Sequence, residues 1–305
     1  MELFQLETFL AVAREKSFSR AAARMHRTQS AVSQTISKLE EDLGERLFDR
    51  SSRDGSLTDA GRLLVTYAEE LLNVREEARD ALSELRMLQQ GKLVVAANEF
   101  TSRYLLPVLH QFHRTHPMIR IHVMRTLARE VPSAVLNHNV EFGVLSFRPD
   151  DENLASLVLY RDELAVIAYP RHPLAQAKGV TIKDLGAESF VAHSVLSPYR
   201  EKVIQAFKKH RTTLHMNIEL PTIEDIKQFV RMEVGLAMVP LIAVEEEIRR
   251  GDLVHVPVAE LSFERKIRIV HRTGTVLSHA GNAFLKTCKA IAQAPGSRYF
   301  LQPER

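Results

Sequence analysis

Ser30, Ser33, Gln34 and Ser37 lie on one side of a helical stretch whose other side is Val32, Ile36 and Leu39. The apolar trio recurs at i, i+4 and i+7, the spacing of a buried stripe, and the polar residues fall opposite it. A solvated helix face ordinarily carries Lys and Glu. Hydroxyls and amides are the groups that reach base edges and phosphates when a helix lies in a major groove. Thr28 is placed to cap this helix, and Ser17 to open a shorter one containing Ala21, Ala22 and Ala23. The turn between them is Met25-His26-Arg27-Thr28, and Leu3, Leu6, Phe9, Leu10 and Ala13 supply a third apolar stripe. Small residues at the crossing allow the steep approach of a helix-turn-helix.

Charge supports this locally. Residues 14–38 hold six Lys/Arg against Glu15 alone, whereas residues 40–45 hold four acids, expected to face away from DNA. Over residues 1–58 nine bases balance nine acids, so the residue pattern, and not the net charge, carries the reading. Arg46 to Gly61 follows as RLFDRSSRDGSLTDAG. Its Asp54-Gly55 pair predicts a tight hairpin turn, flanked by Arg50 and Arg53 within reach of phosphates or a minor groove. Thr58 and Asp59 offer the cap of the next helix.

The segment LETFLAVAREKSFSRAAARMHRTQSAVSQTISKLEEDLGERLFDR, followed by LTDAG, resembles the winged helix-turn-helix of LysR-type transcriptional regulators, from Leu6 to Gly61. The resemblance implies that Gln29, Ser30, Ser33 and Gln34 contact double-stranded DNA, with Arg50 and Arg53 from the wing. Thr28 and Ser37 border that set. Many relatives carry Arg or Lys where this chain has Gln34, Thr35 and Ser37, so more of the affinity falls to Arg27, Lys38 and the wing.

From Asp59 to Gln90 there is no Pro, and the glycines stand at Gly61 and just past the end at Gly91. Leu64, Tyr67, Leu71, Val74, Ala78, Ala81, Leu85 and Leu88 alternate by three and four residues, a heptad seam. The family resemblance makes this the helix that pairs subunits, so a homodimer or homotetramer is expected. Two recognition helices need such pairing to meet adjacent major grooves.

Beyond Gly91 the pattern changes to strands alternating with helices. KLVVAANE, a helix over about 102–115, IRIHVMRT, a helix over 131–137 and EFGVLSF come first. ELAVIAYP, FVAHS, a helix over 198–208, NIELP, a helix over 223–233, LAMVP, LVHVPV, KIRIVHR and a last helix to about Ala292 follow. That order predicts a parallel-rich α/β sheet. Together the fold class is α/β: an N-terminal all-α winged helix-turn-helix (1–58), a long linker helix (59–90) and an effector domain (91–305). By resemblance the last is two-lobed and like a periplasmic binding protein, with lobe I at about 91–161 and 266–295 and lobe II at about 162–265. Crossovers are expected near Tyr160–Arg161 and Phe263–Lys266.

Open α/β sheets bind ligands beyond the carboxyl ends of strands, near helix N-termini. Thr101 and Ser102, Ser197 after His193 and Ser194, Thr222 with Asp225, and Ser146 with Phe147 occupy such places and are the candidate effector contacts. Each Ser or Thr there also reads as a simple cap. Arg103, Arg125, Arg148 and Arg200 nearby favour a small anion or carboxylate. Glu99, and Glu141 where relatives often have Asp, are departures from the family pattern.

The remaining signals are weak or negative. His110, His113 and His116 share a helix face without a fourth ligand, so no metal is assigned, and no cofactor motif is present. Cys288 is the only cysteine, which excludes an internal disulfide switch and predicts a packed thiol. No GxGxxG, GxSxG or HExxH occurs, so no enzyme is read here. The formal charge of +3 means the chain is not broadly basic. No apolar run reaches membrane-spanning length and Glu2 and Glu7 in an amphipathic start argue against a signal peptide, which together predict a cytoplasmic protein without a membrane partner. The expectation is a sequence-specific regulator of transcription, modulated by a small-molecule effector, with RNA polymerase as a further partner. The alternatives are a regulator working without a ligand through oligomerisation, and, behind it, a small-molecule enzyme or solute-binding protein.

Overall fold

The computed structural model describes residues 1–49, 56–86, 91–195 and 197–303, which group into two compact units. Residues 1–91 with 133–140 form the first; residues 92–132 and 141–305 form the second.

In the first unit, α1 (Leu3–Glu15), α2 (Phe18–Arg24) and α3 (Gln29–Leu43) bury one shared core. Ser17 and Thr28 cap α2 and α3 as their types predict, accepting the amides of Arg20 and Ala31, each at 3.3 Å. His26 at φ +53° makes the turn between them, and Gly44 at φ +71° ends α3. Ala21 and Ala22 are buried and bring the helices close, while Leu6, Phe9, Val32, Ile36 and Leu39 fill the interior. Phe48 closes this core against Phe9 and Phe18, with ring centroids 5.5 and 5.3 Å away. It also bridges Leu57 in antiparallel pairing, and Asp49 donates to the Ser56 carbonyl at 2.8 Å. The expected hairpin therefore forms at its base.

Of the acidic run that begins in the last turn of α3, Glu40 is buried. Its Oε1 accepts the amides of Leu47 at 2.8 Å and Phe48 at 3.3 Å, fixing the chain's entry into the hairpin. Desolvation of a carboxylate is tolerated where backbone donors replace water. Thr58 then caps α4 (Asp59–Arg86), accepting from Gly61 at 3.0 Å. Gly61 admits no side chain, since a Cβ would stand 2.1 Å from the Leu47 carbonyl oxygen.

The second unit is a mixed sheet flanked by helices. In chain order it runs β1 (Lys92–Ala97), α5 (Glu99–Thr115), β2 (Arg120–Arg125), α6 (Val131–Leu136, largely in the first unit), β3 (Phe142–Leu145), β4 (Leu154–Ala168) and β5 (Ser189–His193). α7 (Pro198–Lys209), β6 (His215–Leu220), α8 (Ile223–Arg231), β7 (Leu236–Pro240), α9 (Glu245–Arg250), β8 (Val254–Val256), β9 (Glu264–Arg272), α10 (His279–Ala292) and β10 (Tyr299–Pro303) follow. β1 pairs in parallel with β2 and β3, and β5 in parallel with β6 and β7. These two parallel groups are joined by β4 and β9, antiparallel from Leu154↔Arg272 to Glu163↔Glu264. From Leu164 onward β4 leaves β9 and pairs with β7 and β8. Separate hydrophobic clusters lie on either side of that switch, so the unit has two lobes.

Several elements differ from expectation. The first crossover falls at Glu163–Leu164, a few residues past Tyr160–Arg161, because β4 continues through both lobes. Its half before Asp162 was not predicted, since LASLVLYRD mixes polar and apolar residues without clean alternation. The chain does not close at the last helix: β10 returns to pair antiparallel with β4. α5 opens at Glu99, three residues before the expected start, because Asn98 is its cap.

Candidate nucleic-acid interface and effector cleft

Along α3, Gln29, Ser30, Gln34, Ser37 and Lys38 are exposed and Ser33 is half-buried, while Val32, Ile36 and Leu39 are buried beneath them. The outward face is therefore hydroxyls and amides on a helix anchored from behind. Thr28 keeps its capping role and exchanges a 3.1 Å hydrogen bond with Ser30. Arg27, exposed, has its guanidinium 4.8 Å from the Phe4 ring centroid, which orients the charge at the start of the face. Arg50 and Arg53 lie outside the described residues.

α4 carries two adjacent stripes. Leu64, Val65, Ala68 and Leu72 pack on the helix-turn-helix core. Tyr67, Leu71 and Val74 remain 56%, 42% and 41% exposed, with Ala78 exposed below them. Leu64, expected in the pairing seam, is therefore spent on its own unit. Leu63 and Leu82, both exposed, fall in its place on the open stripe, within about 100° of Tyr67, Leu71, Val74 and Ala78. A strict heptad template hid them because it allows one stripe only. The side chain of Leu85 lies outside the described residues.

Between the lobes of the second unit is a cavity of about 780 Å³. Phe190, Val203, Leu214, Met216 and Met238 wall it with apolar surface, and Phe100, Leu127 and Phe147 add to this. The polar lining is Ser146, His193, Ser197, Tyr199, Arg200 and Arg265, with Asn98, Glu99, Arg125, Thr126, Arg129 and Glu130 also on it. Four predicted contacts, Ser146, Phe147, His193 and Ser197, thus line one cavity.

The other four do not, and each has a local reason. Thr101 is wholly buried in a capping box, its amide on Asn98 Oδ1 at 2.8 Å and its hydroxyl accepting the Asn98 amide at 3.1 Å. Ser102 donates back to the Glu99 carbonyl at 3.0 Å. Thr222 caps α8, accepting from Asp225 at 3.1 Å, and Ser194 is exposed with its amide on the Leu220 carbonyl. The Thr101 and Thr222 hydroxyls serve helix starts.

Part of the cavity's charge comes from residues that no motif marked. Arg265, at the start of β9, is 4% exposed, and its Nη1 reaches Asp162 Oδ2 at 3.3 Å. Tyr104 donates to the same carboxylate oxygen. Burial pushes the Asp162 carboxyl above its ordinary value, against the opposing pull of the Tyr104 hydroxyl and then Arg265. Arg265 also lies over the Tyr199 ring at 4.9 Å, and its Nε has no hydrogen-bond partner. Tyr199 OH in turn donates across the cleft to the Ser146 carbonyl at 3.0 Å. Arg200 pairs with Glu219 and leaves its own Nε without a partner.

Other marked residues have structural uses. Glu141 accepts the amide and hydroxyl of Ser278, at 2.7 and 2.8 Å, and so holds the start of α10. His110 and His113 are exposed, His116 stacks on Phe112, and the described residues contain no cluster fit for a metal ion. Cys288 is fully buried, which pushes its thiol up to about 12. Among the described residues no helix is long and apolar enough to cross a membrane.

Residues 3–62 match the bacterial regulatory helix-turn-helix protein model of the lysR family, and residues 87–293 match the LysR substrate binding domain. A probable RuBisCO transcriptional regulator of Synechocystis sp. is 32% identical, over 99% of this chain and 89% of its own. The fold is shared with CbnR, a LysR family transcriptional regulator also solved with its target DNA (20% identity, TM-score 0.72, 95% of this chain and 99% of that one). The regulatory domain of Synechocystis CcmR in complex with 2-PG aligns at TM-score 0.61 and 23% identity, over 68% of this chain and 99% of that domain. The chain belongs to the LysR family: it is a DNA-binding transcriptional regulator with an effector-binding domain.

Proposed function

We propose that the chain reads double-stranded promoter DNA as a homodimer or homotetramer and changes its action on binding an amphipathic carboxylic acid. α3 enters the major groove, with Gln29, Ser30, Ser33, Gln34 and Ser37 toward the bases. Arg27, Thr28, Lys38, Arg50 and Arg53 serve the phosphates. The observation that carries this is the uncharged polar face of α3 held over buried Val32, Ile36 and Leu39. The open stripe of α4, from Leu63 to Leu82, supports pairing of two chains, which gives two recognition helices on one duplex. The division into residues 1–58, 59–90 and 91–305 follows the same roles. The site of action is the cytoplasm, where the DNA is, and RNA polymerase responds to the altered promoter.

The effector's chemistry follows from the cavity. Its walls are aromatic, Leu and Met, and the unpartnered Nε atoms of Arg265 and Arg200 each need an acceptor. An apolar body with one acidic head meets both demands. Such a ligand acts only through unequal affinity for two lobe arrangements.

DNase footprinting on the intergenic DNA beside the chain's own gene, with and without pooled carboxylic acids, tests this. The expected result is a partly palindromic protected site whose length or hypersensitive bands change with the acid. Protection indifferent to every acid favours the ligand-independent regulator; no protection at low salt overturns the DNA reading.

A further inference from the structure

The effector cleft already contains a carboxylate, and it belongs to the chain. Glu99 is the first residue of α5, on lobe I. Its Oε1 accepts the amide of Ile223 at 2.8 Å, the first residue of α8 on lobe II. That amide is one of the donors a helix start leaves without an intrahelical partner, since Thr222 serves Asp225 instead. The other oxygen faces His193 Nε2 at 3.6 Å, beyond a hydrogen bond and within electrostatic reach. His193 Nδ1 accepts the Val195 amide at 3.0 Å, which leaves the ring proton on Nε2, toward Glu99. Nε2 is buried and has no hydrogen-bond partner. Phe100, next in sequence, lies tilted at 56° against the His193 ring with centroids 4.7 Å apart, and packs into the lobe II core.

Glu99 thus stands at the starts of two helices, both of which favour negative charge, beside an imidazole N–H. These are the elements of an anion site, filled by a tethered group. We infer that Glu99 is a built-in anion that holds the two lobes together in the ligand-free chain, so that a free carboxylate can take this position only when Glu99 is removed or displaced. This rests on the cleft being the effector site. It adds that the start of α8 is closed to an effector's acid group, which is left with Arg265 and Arg200.

The tether makes the contact effectively intramolecular, which a free acid at low concentration does not match. Removing the side chain should create a site for acetate. The test is hydrogen exchange at the Ile223 amide in the full chain, for wild type, Glu99→Ala and Glu99→Gln, with sodium acetate or chloride at equal ionic strength. Loss of a hydrogen bond to a charged acceptor predicts exchange about tenfold or more faster in Glu99→Ala. Acetate should restore protection there and leave wild type unchanged. Glu99→Gln, which keeps the acceptor without the charge and guards against misfolding of the alanine variant, should show intermediate protection. Equal exchange in all three proteins, or acetate acting no differently from chloride on Glu99→Ala, overturns the inference. Footprinting with the same preparations separates the two readings: a footprint that still changes with carboxylic acids, beside a failed acetate rescue, removes Glu99's role alone.

Discussion

α3 and the helix starts around the interlobe cleft are both rich in Ser, Thr and other polar residues, yet they use them in opposite ways. On α3 the polar row beyond Thr28 projects from the surface, and its members other than Ser33 are exposed. At the helix starts around the cleft, the chain consumes its own polar groups. Asn98 with Thr101, Thr222 with Asp225 and Glu99 with Ile223 satisfy one another before any ligand arrives. An interface for DNA presents unspent donors and acceptors, because the partner supplies the complement. Among the described residues the cleft leaves Arg265 Nε, Arg200 Nε and His193 Nε2 unspent, and an orphaned polar group costs about 1–3 kcal/mol, so these are the places where an acceptor would gain most.

The largest expected effect tests whether the DNA face works as half of a pair. Leu71→Glu places a charge in the open stripe of α4 and should yield monomers by sedimentation, with DNA affinity down about a hundredfold or more. A variant that stays dimeric would remove this stripe from the contrast.

Next is Glu40, where the DNA-binding unit behaves like the cleft and spends a polar group internally. Glu40→Ala strands the amides of Leu47 and Phe48, and should cost about 2–4 kcal/mol in the unfolding transition of the N-terminal unit. A loss under half that would mean that water reaches these amides.

The roles along α3 can be sharpened further. Gln34→Ala should lose about 1–3 kcal/mol of discrimination at one base pair. Lys38→Ala should instead weaken all sequences alike and lower the salt slope by about 1. Uniform loss from Gln34→Ala would erase the distinction between base-reading and phosphate-holding residues.

The smallest effect concerns a group outside both regions. Cys288, its thiol pushed up to about 12 by burial, should resist alkylation at pH 8 until the chain unfolds. The folded state then holds the proton more tightly than the unfolded one. The contribution of Cys288 to stability is present below the ordinary thiol value near 9 and falls as pH rises from there toward about 12. Rapid native alkylation would show that α10 opens readily.

The sequence by itself determined the helix-turn-helix, because every signal for it is local. Caps at Ser17 and Thr28, the Val32-Ile36-Leu39 stripe and the polar row opposite are spaced by the geometry of a single helix. It also determined the alternation of strands and helices beyond Gly91, whose period changes are visible residue by residue. Tertiary structure alone decided the charge and closure of the cleft. Arg265 meets Asp162 and Tyr104 from distant positions on β9, β4 and α5, and Glu99 meets Ile223 across 124 residues. No periodicity connects such residues. Whether a Ser, Thr or Glu at a helix start serves its own backbone, another helix or a ligand depends on which chain segment the fold brings opposite it.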